Sequence, residues 1–349
     1  MDRINKITPP DVKAAQAARE HWNSVAKPLG SLGLLESAVE KIAAVQGTAD
    51  VKITNRRAVV MCADNGVVCE GVTQSDSSVT ALCAEDIAEG TSNINVLADV
   101  YGAKVTAVDI GMEHDVNSEK LINRKIAYGT KNIAIGAAMT VEQAEKAIAV
   151  GMDIVLDMKH EGADIIVTGE MGIGNTTTLA ALASVLLDMP PKSVTGRGAG
   201  LDSAGLKRKI DAVERAIAVN RPERDKPVEL LAKIGGFDIA GMTGLFLGGA
   251  YYHIPVVIDG VISAVSALVA CEINPLAREY MLASHVSGEP SGKMLLEKIG
   301  VKPLITAEMR LGEGTGGIML LPLLDGALAV YNSAHRFDDM GMERYVELK

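Results

Sequence analysis

Three stretches of this chain combine residue types that can do chemistry. The first is Gly169-Glu170-Met171-Gly172-Ile173-Gly174-Asn175-Thr176-Thr177, which follows the apolar run Ile165-Ile166-Val167-Thr168 and leads into an apolar helical pattern. A strand, a glycine-rich turn and a helix start together aim backbone N–H groups at a phosphate. No lysine follows the glycines, so this is not a Walker A loop, and Thr177 stands where a dinucleotide fingerprint needs its third glycine. A plain βα turn with an Asn/Thr cap fits the same residues equally well. The second stretch, Gly196-Arg197-Gly198-Ala199-Gly200-Leu201-Asp202, runs towards Lys207-Arg208-Lys209. Flexible glycines beside cations suit an anionic ligand, and a surface loop entering a solvated basic helix has the same composition. The third, Arg310-Leu311-Gly312-Glu313-Gly314-Thr315-Gly316-Gly317, frames one carboxylate in glycines ahead of an apolar helix. Glycine lets a substrate approach closely and leaves Glu313 without side-chain partners nearby in sequence. A helix N-terminus that favours an acid through its dipole reads the same way.

The elements that must position these stretches follow a regular rhythm. Short runs rich in β-branched residues, at Ala58–Cys62, Lys104–Asp109, Asp164–Thr168 and Pro255–Ile258, alternate with helical patterns such as Thr177–Leu187 and Ile262–Cys271. The alternation implies an α/β fold: a mostly parallel sheet with helices on both faces. The runs end in Asp64, Asp109, Glu170 and Asp259, at the carboxyl edge where such sheets bind ligands. One acid there often just caps the next helix, but four make that edge the place to look. Residues 10–50 have helical periodicity broken by Lys27-Pro28-Leu29-Gly30-Ser31-Leu32-Gly33, and no linker or repeat divides the 349 residues.

The bulk numbers exclude several function classes. A net charge of −10 argues against a nucleic-acid or anionic-membrane surface, both of which need clustered Lys and Arg. The four cysteines (Cys62, Cys69, Cys83, Cys271) form no CxxC, and the six histidines show no metal-ligand spacing. Ordinary polar roles are expected for most of the histidines, and no metal or cofactor is expected. The N-terminus lacks the apolar core of a signal peptide, and the run Ile318–Val330 contains Pro322 and Asp325 and is too short to span a membrane. A cytoplasmic protein with reduced thiols is expected.

Taken in order, the motifs resemble the nicotinate-nucleotide–dimethylbenzimidazole phosphoribosyltransferase family. The series runs from Lys27–Gly33 to Gly317. Between lie Ala63-Asp64-x-Gly66-Val67, Glu70-Gly71-Val72, Ile94-Asn95-Val96-Leu97-Ala98, Gly235-Gly236-Phe237-Asp238-Ile239-Ala240, Pro255–Gly260 and His285-x-Ser287-x-Glu289-Pro290, besides the three stretches above. The resemblance implies a Rossmann-like core over 56–317, a small helical domain from 1–55 and 318–349, and a dimer, of two copies or with a paralogous subunit. It implies that ribose 5-phosphate passes from nicotinate mononucleotide to an aromatic base in cobamide assembly, with no cofactor. The pyridinium leaves as neutral-ring nicotinate, and attack from the opposite face inverts the β-glycoside to α.

By the same resemblance Glu313 is the general base and Glu170 lies near the ribose. Gly172, Ile173, Gly174, Asn175, Thr176, Thr177, Gly198 and Lys209 would hold the ribose phosphate. The acceptor pocket would include Ser75, Asp76, Cys83 and Leu311. Here the chain departs from the family, which places Tyr and Pro at 75 and 76 and Met at 83, and Arg where this chain has Leu34 and Val286. Smaller, more polar walls make a phenolic acceptor such as phenol or p-cresol plausible beside 5,6-dimethylbenzimidazole. Two alternatives stay open: a non-catalytic paralogous subunit supporting an active partner, and a nucleotide-dependent oxidoreductase. For the second, Cys62-Ala63-Asp64-Asn65-Gly66 offers no dinucleotide fingerprint after the first strand.

Overall fold

The computed structural model describes residues 2–346. Residues 1 and 347–349, which the expected end-domain includes, lie outside the described residues. The chain opens with α1 (Val12–Ser24) and α2 (Leu34–Gln46), then enters the sheet through β1 (Arg56–Ala63). After α3 (Ser78–Glu89) and α4 (Asn93–Tyr101) come β2 (Ala103–Gly111), β3 (Ile122–Asn123) and the long α5 (Val141–His160). Next are β4 (Ile165–Met171), α6 (Asn175–Leu187), a short α7 (Pro191–Val194), α8 (Ser203–Asn220), α9 (Pro227–Ile234) and α10 (Phe237–Tyr252). The last part holds β5 (Val256–Ile258), α11 (Val261–Ile273), β6 (Met281–Ala283), α12 (Gly292–Ile299) and α13 (Thr315–Ser333).

The six strands lie in the order β3-β2-β1-β4-β5-β6, and every neighbouring pair is parallel. The four runs of β-branched residues became β1, β2, β4 and β5. The short strands β3 and β6 had no sequence signal. From β1 the chain adds strands first to one side and then, with β4, to the other. The crevice above the β1–β4 pair is therefore a topological switch point, the usual ligand position in open parallel sheets.

Alternation along the strands sorts the core into two layers. Val59, Met61, Ile166 and Val256 pack with α5, α6, α10 and α11 on one face. Val60, Val167, Val257 and Leu282 share the other face with Trp22, Ile42, Ile94, Leu320 and Leu324. On this second face α1, α2 and α13 pack together, with the Trp22 ring 4.8 Å edge-on from Tyr331. Among the described residues no helix is long and apolar enough to cross a membrane, and no group of three His, Cys, Asp or Glu could hold a metal ion.

Candidate active site

β4 ends in Glu170 and turns through Gly172–Gly174 into α6. The N-cap, Gly174, is left-handed at φ 92° and provides no side-chain cap; Asn175 N and Thr177 N turn back onto the Gly172 and Gly174 carbonyls at 3.2 and 2.9 Å, which leaves Thr176 N at the helix start for an anion. Above this turn lies a cleft of about 240 Å³. Eight of the residues expected at the site line it: Glu170, Gly172, Ile173, Asn175, Thr176, Gly198, Leu311 and Glu313. Gly174 instead lines an adjoining hollow of about 80 Å³, shared with Gly172, Thr176 and Gly198.

Lys209 reaches the same corner from α8. Its Nζ lies 2.7 Å from Thr176 Oγ1, and burial lowers its pKa to about 8, with Glu289 acting the other way. A Cβ on Gly198 would stand 2.9 Å from Thr176 Oγ1 and 3.2 Å from Lys209 Nζ, so bare backbone is what leaves this corner open. Thr177 lies behind the turn, buried, with its hydroxyl unpartnered. Helix N-terminus, lysine and glycine backbone together make a site for a phosphate-sized anion.

Glu170 is partly open to the cleft. One of its carboxylate oxygens accepts a short hydrogen bond from Asn175 Nδ2, which also donates to Asp238 Oδ2 at 3.1 Å. Burial, and then the charge of Asp238, push the Glu170 carboxyl up to about 8, while burial raises Asp238 to about 6. Near neutral pH burial and Asp238 therefore favour the protonated form of Glu170. A cation arriving above it favours the carboxylate.

Glu313 has a left-handed backbone, φ 62°, between Gly312 and Gly314. A Cβ on Gly169 would overlap the Glu313 carbonyl oxygen, so β4 and this turn meet backbone to backbone. The carboxylate is not free of partners, contrary to what its glycine frame suggests. Ile94 N donates to it at 3.2 Å and Asn93 Nδ2 at 3.4 Å. Both belong to the first turn of α4, whose N-cap Ser92 makes no side-chain cap bond. Glu313 thus caps a helix remote in sequence, and the Ile94 N–H, the Asn93 side-chain amide and the dipole of α4 orient it.

The other strand-end acids hold turns. Asp109 accepts from Gly111 N and Met112 N at 3.1 and 3.0 Å and pairs with Lys125 at 3.3 Å. Asp64 accepts from Glu113 N at 2.8 Å. Asp259 accepts from Gly314 N and Gly317 N at 3.2 and 2.9 Å, capping α13, and burial raises it to about 7.

The expected acceptor residues separate. Leu311 is 54% exposed at the cleft. Asp76 is exposed and its Oδ1 takes Ser78 N at 3.0 Å at the start of α3, and neither it nor half-buried Ser75 lines the cleft. α3 docks on the turn through Thr80 Oγ1, which accepts from Ile173 N at 3.1 Å. Cys83, one turn further along, is half-buried. Its thiol pKa is raised by burial and then by the charge of Glu313, and like Ser75 and Asp76 it does not line the cleft. Sequence reasoning missed Asp238 and the start of α4. Asp238 was detectable in principle, as the one charged residue in the otherwise apolar Phe237–Tyr252 helix. Nothing near Asn93 in sequence points to Glu313.

A phosphoribosyltransferase family model matches residues 7–342. The chain is 43% identical over 348 residues to the nicotinate-nucleotide–dimethylbenzimidazole phosphoribosyltransferase of Ruminiclostridium cellulolyticum, covering 100% of this chain and 99% of that one. It is 42% identical over 346 residues to the Clostridium acetobutylicum protein of the same name, covering 99% and 98%. Among solved structures it is similar to CobT from Thermus thermophilus, with a TM-score of 0.90 and 36% identity over 95% of this chain and 100% of that one.

Proposed function

The chain belongs to the nicotinate-nucleotide–dimethylbenzimidazole phosphoribosyltransferase family, and from that premise we propose that it transfers the 5-phosphoribosyl group of nicotinate mononucleotide to an aromatic lower-ligand base. The observation that carries the reading is one cleft with Glu170 and Glu313 on its walls and an uncapped helix N-terminus with Lys209 at its end. The 5′-phosphate sits at the start of α6 with Lys209, and the anomeric carbon lies near Glu170. As the C1′–N bond breaks, its electron pair passes to the pyridinium nitrogen and nicotinate leaves. The anomeric carbon becomes cationic, and the Glu170 carboxylate, ionised under the bound positive ring, stabilises it. The acceptor attacks from the opposite face and its proton goes to Glu313. The products are an α-riboside phosphate and nicotinate, and the step belongs to cobamide assembly. The working unit in this reading is a cytoplasmic dimer, of two copies or with a paralogous subunit.

5,6-Dimethylbenzimidazole is the acceptor named by the relatives, and a phenolic acceptor is a second reading. Its support is Cys83, smaller than the methionine the family places there and with a thiol that feels the charge of Glu313, together with the single proton a phenol sheds as it attacks. The purified chain, incubated with nicotinate mononucleotide and a panel of benzimidazoles and phenols, is expected to release nicotinate and form an α-riboside phosphate. Absence of product from every base would refute the transfer reading. A panel yielding only benzimidazole ribosides would refute the phenolic one.

A further inference from the structure

Among the cleft groups that the transfer chemistry leaves unused, His285 has the most closely defined geometry. His285 follows β6, is 5% exposed, and lines the cleft beside Gly260. Its Nδ1 lies 2.9 Å from Ser284 Oγ, and that oxygen lies 2.8 Å from the Ile258 carbonyl and 3.0 Å from the Asp259 carbonyl. The hydroxyl has one proton. Turned to the ring, it would leave two acceptor–acceptor contacts with the carbonyls. Turned to the carbonyls, it leaves its lone pair for an Nδ1–H. Nδ1 therefore carries the ring proton and Nε2 presents a bare lone pair, which has no hydrogen-bond partner among the described residues. Burial lowers the ring's pKa and so favours this neutral form. The ring packs on the bare backbone of Gly316, where a Cβ would stand 2.2 Å from its Cε1 and Nδ1.

A lone pair selects a hydrogen donor and rejects an anion. On nicotinate mononucleotide the phosphate and the carboxylate only accept, and the alkylated ring nitrogen has no N–H, so its donors are the two ribose hydroxyls. Of the cleft carboxylates, Asp259 holds α13 with both oxygens, Glu313 holds α4 with both, Glu170 holds Asn175 with one, and Glu289 lies against the Gly196 backbone, at the loop that carries Gly198. Building on the transfer reading, we propose that His285 is a sugar subsite, its Nε2 accepting a hydrogen bond from a ribose hydroxyl of the donor nucleotide. His285 then orients the ring between Glu170 and the acceptor and discriminates ribose from deoxyribose. Its role is positioning, with no proton transferred.

The test is a matrix of kcat/KM values. Wild type, His285→Ala and His285→Gln are assayed with nicotinate mononucleotide and its 2′-deoxy and 3′-deoxy analogues, against dimethylbenzimidazole and against phenol. Wild type is expected to favour the parent over one deoxy analogue by roughly 10–100-fold, the worth of a buried hydrogen bond. His285→Ala is expected to lose the same factor with the parent and almost nothing with that analogue. Gln, whose Oε1 can accept near the Nε2 position, is expected to restore part of the preference. Equal losses for all three nucleotides would mean a merely structural histidine and overturn the subsite. A loss that follows the acceptor and ignores the sugar would put Nε2 against the acceptor's own O–H or N–H, and overturns it as well. If the Ala variant does not fold, wild type against Gln carries the same comparison. A wild-type chain that makes no riboside phosphate from the parent would overturn the transfer reading and this subsite together.

Discussion

Glu170→Gln separates stability from catalysis. In the resting protein Glu170 is held as the neutral acid, its pKa raised from 4.5 to about 8 by burial and by Asp238. Glutamine copies that acid closely, with a carbonyl oxygen for the Asn175 amide and an N–H in place of the O–H. Because the folded pKa lies above the unfolded one, the folded state binds more protons between pH 4.5 and 8, and wild-type stability falls as pH rises through that window. This is the reverse of a salt-bridged carboxylate. Linkage puts the loss from this one group at roughly 3–4 kcal/mol between pH 5 and pH 8. The burial of Asp238 and Asp259 acts with the same sign and remains in the variant. Urea denaturation of both proteins at pH 5, 6, 7 and 8 measures the difference. The two are expected to be close at pH 5, with the variant ahead by roughly 3 kcal/mol at pH 8. Turnover is expected to move the other way and fall by roughly 10²-fold, since glutamine cannot ionise under a cationic ring. Parallel stability curves, or a variant weaker than wild type at pH 8, would refute this account of Glu170.

Three further substitutions probe the rest of the cleft. Glu313→Gln removes the proton acceptor and keeps the shape, so kcat is expected to fall by roughly 10²–10⁴ with nucleotide binding largely retained; near-wild-type turnover would reject Glu313 as the base. Lys209→Ala is expected to weaken nicotinate mononucleotide by roughly 10–100-fold in calorimetry and the phosphate-free nucleoside far less, whereas equal losses would take Lys209 off the phosphate. Cys83→Met enlarges the side chain that feels the charge of Glu313 and is expected to shift a phenol–dimethylbenzimidazole competition towards the benzimidazole by roughly tenfold. An unchanged product ratio would mean that residue 83 does not face the acceptor.

Sequence periodicity located β1, β2, β4 and β5 because strands covered on both faces are near-continuous apolar runs. β3 has only two residues, and β6, as short as β5, is Met-Leu-Ala and lacks the β-branched residues that marked Val256–Ile258. The glycine turn after β4 and the isolated Glu313 were legible as chemistry because glycine and a lone acid are locally unusual. Their partners were not. Asn93 and Ile94 hold Glu313 across some 220 positions of sequence, and Asn175 bridges Glu170 to an aspartate on α10. Such contacts follow from how helices pack on the sheet and leave no spacing in the chain. Histidines read as ordinary polar residues include one whose protonation is set by a serine hydroxyl and two carbonyls, a geometry that exists only once β5 and β6 lie side by side.

The meeting of β4 and the Glu313 turn has a consequence for how such an enzyme changes over evolutionary time. Gly169 and Gly314 let main chain touch main chain, with the Gly169 Cα near the Glu313 carbonyl and the Gly314 Cα near the Thr168 carbonyl. The separation of the two acids is then set by the peptide backbone and is insulated from drift in neighbouring side chains. α3, by contrast, meets the turn side chain to backbone, through the Thr80 hydroxyl, and residue 83 rides on that helix. Selection can refit the wall on α3 to a new aromatic partner while the reaction frame stays as it is. In the proposed reading, a library randomised at residues 75, 76 and 83 with Thr80 kept therefore samples acceptors while leaving the turn in place.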